Sequence, residues 1–254
     1  MRYGIISDVH SNLEGLTAAL EALGGLGVDS VFCCGDIIGY GAEPGECLER
    51  LRGQGVRSIR GNHERGLRDL DEGREPEMNW MALEALRHNA ARLDEEQKGW
   101  LLAMPDHLEV DGDFLIFHGS PSDPDIYVLD DFEAHYAFKS LRTGYSEPSN
   151  HLCFIGHTHV CSLYILRRED QKLMGGTVVK PGRVDLVAGM DVMINVGSCG
   201  QYRGGRTQAS FCLYDRDERW VEFFFVDYDV RAAQEKIRRE GLPEELAERL
   251  SEGW

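Results

Sequence analysis

Seven side chains that can hold a metal ion share one kind of position in this chain: Asp8, His10, Asp36, Asn62, His118, His157 and His159 each stand at or just beyond the end of a short apolar run. His10 follows Asp8 by two residues, and His159 follows His157 by two, so each pair projects to one side of an extended segment. Taken singly, each has an ordinary explanation. An Asp after a strand caps a helix, Asn62 fits a turn, and a lone His such as His118 is a hydrogen-bonded structural residue. As a set they are not independent caps. The donors are carboxylate, amide and imidazole, with no thiolate. That mixture suits Mn, Fe, Co or Ni, tolerates Zn, and disfavours a closed structural zinc site. Seven donors exceed what one ion needs. Two ions sharing one bridging carboxylate, at the roughly 3.5–4 Å spacing of two-metal hydrolases, is the economical arrangement. The other histidines (His88, His107, His135, His151) read as ordinary.

The elements that must position these groups alternate along the chain. Residues 2–7 predict a strand leading into Asp8; Ser11 and Glu14 have capping-box spacing, and Leu13, Leu16, Leu20 and Leu23 form one helical face ended by Gly24-Gly25. Residues 31–34 predict a strand ending at Gly35-Asp36, 43–52 a helix, and 56–59 a strand ending at Gly61-Asn62-His63. Strand–helix–strand–helix–strand is the pattern of a parallel α/β sheet, whose ligands bind at the carboxyl edge. Residues 66–105 read as helical, with a second capping box at Asp94 and Gln97 and a stop at Pro105. Strands follow at 114–117, before His118, and at 152–155, before Gly156-His157-Thr158-His159; residues 122–150 between them read as helix or loop. The remainder alternates like antiparallel β at 160–168, 183–187, 192–196, 209–215 and 219–226, then closes with helices at 229–240 and 243–252, separated by Gly241 and Pro243. With no repeat or Pro/Ser linker, one domain spanning 1–254 is expected, carrying helical inserts at about 66–105 and 122–150 and C-terminal helices at about 229–252.

Composition narrows the function further. Lys and Arg number 27 against 44 Asp and Glu, a net charge of −17 that repels polyphosphate backbones and argues against general nucleic-acid binding. No apolar run approaches the roughly 18 residues of a membrane span. The opening MRYGIISDVH lacks the features of a signal peptide. Seven scattered cysteines without a CxxC unit fit neither a disulfide framework nor a thiolate zinc site, so a cytoplasmic location is expected. Leu242, Leu246 and Leu250 recur at four-residue spacing, which predicts that the last helix covers the sheet rather than forming a dimer contact; the oligomeric state stays open.

The ordered blocks Asp8-x-His10, Gly35-Asp36, Gly61-Asn62-His63-Glu64, His118 and Gly156-His157-x-His159 resemble the calcineurin-like metallophosphoesterase superfamily. Asn195-Val196-Gly197-Ser198 looks like the Asn-Pro-Gly-Ser loop of its smaller bacterial phosphodiesterase members. The resemblance implies an α/β fold: a two-sheet β-sandwich flanked by helices in four αββα layers. It implies one metal held by Asp8, His10, Asp36 and His159, and a second held by Asp36, Asn62, His118 and His157, with Asp36 bridging. It further implies in-line attack on phosphorus by a metal-bridging hydroxide, with His63 facing the leaving oxygen as proton or hydrogen-bond donor. Glu64 is expected to orient His63 through its other ring nitrogen.

Arg60-Gly61-Asn62-His63-Glu64 is similar to the serine/threonine phosphoprotein phosphatases, but those enzymes follow Gly-Asp with Asp-Arg-Gly, whose Arg clamps phosphate. Here the matching positions are Gly39, Tyr40 and Gly41. Without that fork of donors, Tyr40 suits a bulkier or less charged group such as a diester, unless the triplet is simply a turn. Arg203 and Arg206, among glycines after the Gly197-Ser198 loop, are candidate phosphate contacts or solvated surface residues. The helical inserts are expected to overhang the cleft, although the stripe of Trp80, Met81, Leu83 and Leu86 also suits packing on the body. The expected activity is a phosphodiesterase on a small-molecule or nucleotide-like ester, dependent on two divalent metals, Mn or Fe foremost. Alternatives are a phosphomonoesterase, a dinucleoside-polyphosphate hydrolase, a DNA nuclease and a non-catalytic metal-binding scaffold.

Overall fold

Two sheets account for all twelve strands among the described residues, which in this computed structural model are 1–145 and 152–253; His151 and part of the predicted 122–150 segment lie outside them. In the first sheet β1 (Arg2–Ile6) pairs in parallel with β2 (Ser30–Cys33), and β2 in parallel with β3 (Arg57–Ser58). On its other side β1 pairs antiparallel with β11 (Ala209–Asp215), which continues antiparallel to β12 (Trp220–Val226) and then to β9 (Gly182–Asp185). The second sheet runs β4 (His107–Val110), β5 (Phe114–Phe117), β6 (Leu152–Ile155), β10 (Met190–Val196), β7 (Cys161–Arg167) and β8 (Leu173–Thr177). Here β5, β6 and β10 are mutually parallel and the outer pairs antiparallel.

Strand alternation explains why both sheets are buried on two faces. In β1, Tyr3 and Ile5 point to the partner sheet, where they meet Phe114, Phe154 and Ile194, while Ile6 points to the helices. The Tyr3 ring lies 5.3 Å from that of Phe114, which in turn stands edge-on to Tyr214. Outside the first sheet pack α1 (Leu13–Gly25), α2 (Pro44–Gly53) and α5 (Glu95–Ala103), through Leu16, Leu20, Leu48, Leu51 and Leu101. Outside the second packs α6 (Asp131–Gly144), through Ala134, Ala137, Phe138 and Leu141. The result is the expected two-sheet sandwich flanked by helices. No helix among the described residues is long and apolar enough to cross a membrane.

Several local expectations are corrected. The first helix is capped by Asn12, whose Oδ1 accepts from Gly15 N at 3.0 Å; Ser11 instead donates its hydroxyl to Asn89. The Asp94–Gln97 capping box does form. Strands β4 and β8 were not anticipated, and Gly175-Gly176 is what hides the period-two pattern of β8. The 66–105 insert is three helices: α3 (Asn62–Asp71), α4 (Trp80–Arg92) and α5. In α4, Leu83 and Leu86 pack inward while Trp80 is exposed. The closing helices α7 (Val230–Arg239) and α8 (Glu244–Glu252) do not cover a sheet. Ile237, Leu246 and Leu250 pack on Tyr40, Ala42, Ala82 and Ala85, and Lys236 pairs with both Glu14 and Glu43.

Candidate metal centre

Parallel strands of the two stacked sheets, β1–β3 in one and β5–β6 in the other, bring five chain segments to one end of the sandwich. The turns after β1, β2, β3, β5 and β6 carry Asp8, Asp36, Asn62, His118 and His157, and backbone bonds lace them together: Asp8 N to Gly35 O, His10 N to Asp36 O, and Gly156 N to His118 O. Ligand-bearing positions in these turns adopt a left-handed backbone. Asp8, His10, Asp36, His157 and His159 all have φ between 48° and 67°. That region is disfavoured for residues with a Cβ and recurs where function dictates the side chain.

All seven predicted ligands converge. Asp8, His10, Asp36 and His159 form one group of facing ligand atoms, and Asp36, His118 and His157 a second. Asn62 joins the second group, its Oδ1 3.1 Å from His118 Nε2. Asp36 Oδ2 lies 3.3 Å from His118 Nε2 and 3.7 Å from His10 Nε2, so one oxygen serves both groups.

The imidazole tautomers follow from their other nitrogens. His10 Nδ1 donates to Ile38 O at 3.1 Å, His159 Nδ1 to Gln201 O at 2.7 Å, and His118 Nδ1 to Cys34 O at 2.8 Å. Their Nε2 lone pairs therefore face inward. His157 is reversed: Nε2 donates to Asp125 O at 3.0 Å, which leaves Nδ1 as the nitrogen with a lone pair to offer. Two observations ask for a cation. His10 Nε2 and His159 Nε2 stand 2.9 Å apart with both Nδ1 protons committed elsewhere, so two lone pairs confront each other. Asp8 Oδ1 is fully buried without a hydrogen-bond partner, while its Oδ2 accepts from His157 N. A buried carboxylate oxygen in that state is costly unless a positive charge reaches it.

Electrostatics agree. Burial keeps His10 and His159 uncharged well below the usual imidazole range and lowers His157 to about 3. Burial raises Asp8 to about 7, helped by the neighbouring Asp36 charge. Burial also opposes charge on Asp36, but His118, His63 and His10 outweigh it and hold this carboxyl well below its ordinary value. His118 is raised to about 9; burial disfavours its charge, and the Asp36 and Asp8 carboxylates prevail. Without a metal, one imidazolium is thus the only counter-charge the two buried aspartates have within the set. The donors fit a pair of divalent cations.

The non-ligand residues divide. His63 Nε2 lies 4.0 Å from Asp36 Oδ2, and its Nδ1 is buried without a partner against Gly39, where a Cβ would come within 2.1 Å of that nitrogen. Glu64 does not touch the His63 ring. Its carboxylate accepts backbone N–H groups of Asp36, Ile37, Ile38 and Gly61, so it shapes the Asp36 turn, a correction to the expected role. Tyr40 is buried between the rings of His10 and His63, at 4.6 and 4.9 Å, and the Arg203 guanidinium lies 5.6 Å from its centroid. Arg206 is a second correction: it stacks on Phe225 and bonds Val179 O and Gln208, and so is spent on the body of the protein. A cleft of about 580 Å³ opens beside the centre, walled by Tyr40, Asn62, His63, Arg65, Tyr127 and His157.

Asn195 Nδ2 holds Gly156 O and Thr158 Oγ1, and Ser198 Oγ donates to Asp8 O at 2.7 Å, so the Asn195–Ser198 segment braces ligand turns. Asn89 was missed. Fully buried on α4, it accepts from Ser11 Oγ at 2.9 Å and Gly39 N at 2.6 Å and donates to Gly41 O at 3.0 Å, joining the His10 turn to the Tyr40 turn. Its signal was its place on the apolar stripe after Leu83 and Leu86. Asn89→Ala leaves three buried polar groups unpaired and is expected to cost about 2–4 kcal/mol, lowering the thermal midpoint by about 5–10 °C. A shift under about 2 °C in a melting experiment would contradict this bracing role.

Known proteins resemble this chain in sequence and in fold. A family model described as the calcineurin-like phosphoesterase superfamily domain matches residues 1–219. An uncharacterized protein of Methanocaldococcus jannaschii is 33% identical over 249 residues, 97% of this chain and 96% of that one. The crystal structure of a metallophosphoesterase from Sphaerobacter thermophilus is 34% identical, with both chains covered completely and a TM-score of 0.84. A hypothetical protein from Pyrococcus horikoshii shares the fold at 20% identity, with a TM-score of 0.78 over 100% of this chain and 98% of that one.

Proposed function

The chain belongs to the calcineurin-like phosphoesterase superfamily, a family of phosphoester hydrolases, and from that premise we propose that it is a dinuclear metal-dependent phosphodiesterase acting on a small-molecule or nucleotide-like ester. The observation that carries the dinuclear reading is the placement of Asp36 Oδ2 between two ligand groups. Asp8, His10, Asp36 and His159 would hold one ion, and Asp36, Asn62, His118 and His157 the other. Mn or Fe suits that oxygen and nitrogen set best. Two such cations supply activation of water and neutralisation of the phosphoryl oxygens during in-line displacement.

The protein's own groups do the rest. The carbonyls of Ile38, Cys34, Asp125 and Gln201 fix the imidazoles in their ligating tautomers. His63 Nε2 faces the centre and is placed to donate to a leaving oxygen. Preference for a diester is supported by Tyr40. It occupies the space beside His10 and His63 where a fork of guanidinium donors would be needed for a dianion. Arg65, in the wall of the cleft, is committed to Asp125, and Arg203, over the Tyr40 ring, donates to Gln201 Oε1 at 3.1 Å. Cytoplasmic residence is supported by seven cysteines that are all buried free thiols.

Protein loaded with Mn is expected to hydrolyse bis(4-nitrophenyl) phosphate at least about tenfold faster, by kcat/KM, than 4-nitrophenyl phosphate, the equivalent of one charged hydrogen bond that the monoester lacks. Chelation should abolish both activities. A ratio below one would replace the diesterase by a monoesterase, and no turnover of any phosphate ester would favour a scaffold.

A further inference from the structure

Tyr127 lies in the irregular segment between β5 and α6. Its ring is parallel to that of His157, with centroids 4.0 Å apart and planes 10° from parallel. His157 is buried, whereas Tyr127 is 43% exposed. The imidazole covers one face of the phenol, so the exposed area belongs to the opposite face and the edge. That surface forms part of the wall of the cleft shared with Asn62, His63 and Tyr40. Shielding His157 from water needs only apolar bulk; a partly exposed aromatic ring in the wall of the cleft offers more than that.

The segment is held in place before any ligand arrives. Asp125 O accepts from His157 Nε2, the Asp125 carboxylate pairs with Arg65 on α3, and Asp125 N and Ile126 N bond back to Asp123. A platform fixed in this way loses little conformational freedom on binding. Positive charge stands beside it: Arg203 is near the Tyr40 ring and also bears on the Tyr127 phenol, whose ionisation burial opposes.

Resting on the phosphoesterase reading, we propose that Tyr127 is the platform for a planar aromatic group, a nucleobase being the fitting chemistry, on an ester whose phosphorus sits at the metal centre. The base stacks on the free face of Tyr127 and extends the His157–Tyr127 pair to three layers, with Arg203 toward the phosphate side. The substrate class is thereby narrowed to nucleotide esters. Stacking on an aromatic side chain is tolerant of base identity, so purines and pyrimidines are both accepted.

The test is equilibrium binding of adenosine 5′-monophosphate and of ribose 5-phosphate to the Mn-loaded protein; the two ligands share a phosphate and differ by the base. The native protein is expected to bind the nucleotide about tenfold more tightly. Tyr127→Leu should bring the two affinities together, and Tyr127→Phe, which keeps the plane, should retain the difference. Equal affinities in the native protein would overturn the proposal, as would failure of both ligands to bind. So would a Tyr127→Leu variant that weakens both equally, because Tyr127 would then only steady His157. Failure of the phosphoesterase reading shows separately, as absence of turnover of both bis(4-nitrophenyl) phosphate and 4-nitrophenyl phosphate by a protein that keeps its nucleotide preference.

Discussion

Asp36→Asn is expected to lower kcat/KM by about a thousandfold or more and to leave the purified protein short of metal, because one oxygen of this carboxylate faces both ligand groups. An amide oxygen carries no full charge and cannot bridge two cations; losing several kcal/mol of transition-state stabilisation corresponds to that factor. The swap is isosteric, and the new amide oxygen still accepts from His63 N, as Asp36 Oδ1 does at 3.0 Å. The metal-free fold keeps that contact but loses the buried pairing of Asp36 with His118, so its own midpoint is expected to fall. Removing the charge also removes the larger part of what raises His118 to about 9, Asp8 supplying a smaller part, so that imidazole should titrate closer to its ordinary range. The decisive readout is a difference between two melts. For the native protein, Mn at about a hundred times its dissociation constant should add about 2.7 kcal/mol for one site, or about 5–10 °C for a domain of this size. The variant should show little of this rise. A variant that binds two ions per chain and keeps its activity would sink the bridging role.

Much of this centre was legible because parallel strands end at one edge. Once the runs before Asp8, Asp36 and Asn62 are read as parallel strands, their last residues must meet; the strands before His118 and His157 belong to the other sheet, and that their ends join the first three follows from the stacking of the two sheets, which the pattern of residues does not record. The two sheets were less legible. Residues 192–196 read as one more antiparallel strand, yet β10 pairs in parallel with β6 on one side and antiparallel with β7 on the other. A strand buried on both faces has a run of apolar residues and no alternation that records its partner's direction. Glu64 shows a different limit. Its adjacency to His63 suggested contact with the ring, but successive residues at the start of a helix point about 100° apart, and the carboxylate turns back to four backbone N–H groups. Arg206 failed for a related reason. A loop among glycines gives no direction to a long side chain, and the nearest aromatic face, Phe225, captured it. The left-handed backbone at Asp8, His10, Asp36, His157 and His159 was invisible too, since these residues lack the glycine that normally announces such a turn. The side chain is needed there, and buried partners such as Asn89 and Asn195 hold the strained turns in place.

His63→Ala separates stabilisation of the leaving group from metal binding. The side chain is in neither ligand group, and its backbone N–H, which holds Asp36 Oδ1, survives the substitution. Metal content is therefore expected to stay at the native value while kcat falls. The fall should depend on the leaving group. Burial lowers the pKa of His63, so at neutral pH the ring is uncharged, and with Nδ1 closed in against Gly39 its donor to the cleft is Nε2–H. A hydrogen bond from that atom matters in proportion to the charge developing on the departing oxygen. A 4-nitrophenolate, stable as an anion, should lose about tenfold; an alkoxide such as a ribose oxygen should lose about a hundred- to thousandfold, the usual span for a hydrogen-bond donor aimed at a developing oxyanion. Rates for two diesters that share one retained group and differ in the departing alcohol measure this directly. Equal losses on both would show that His63 orients the substrate rather than assisting departure. Loss of metal from the variant would instead make the side chain part of the cage, against the 4.0 Å that separates Nε2 from Asp36 Oδ2.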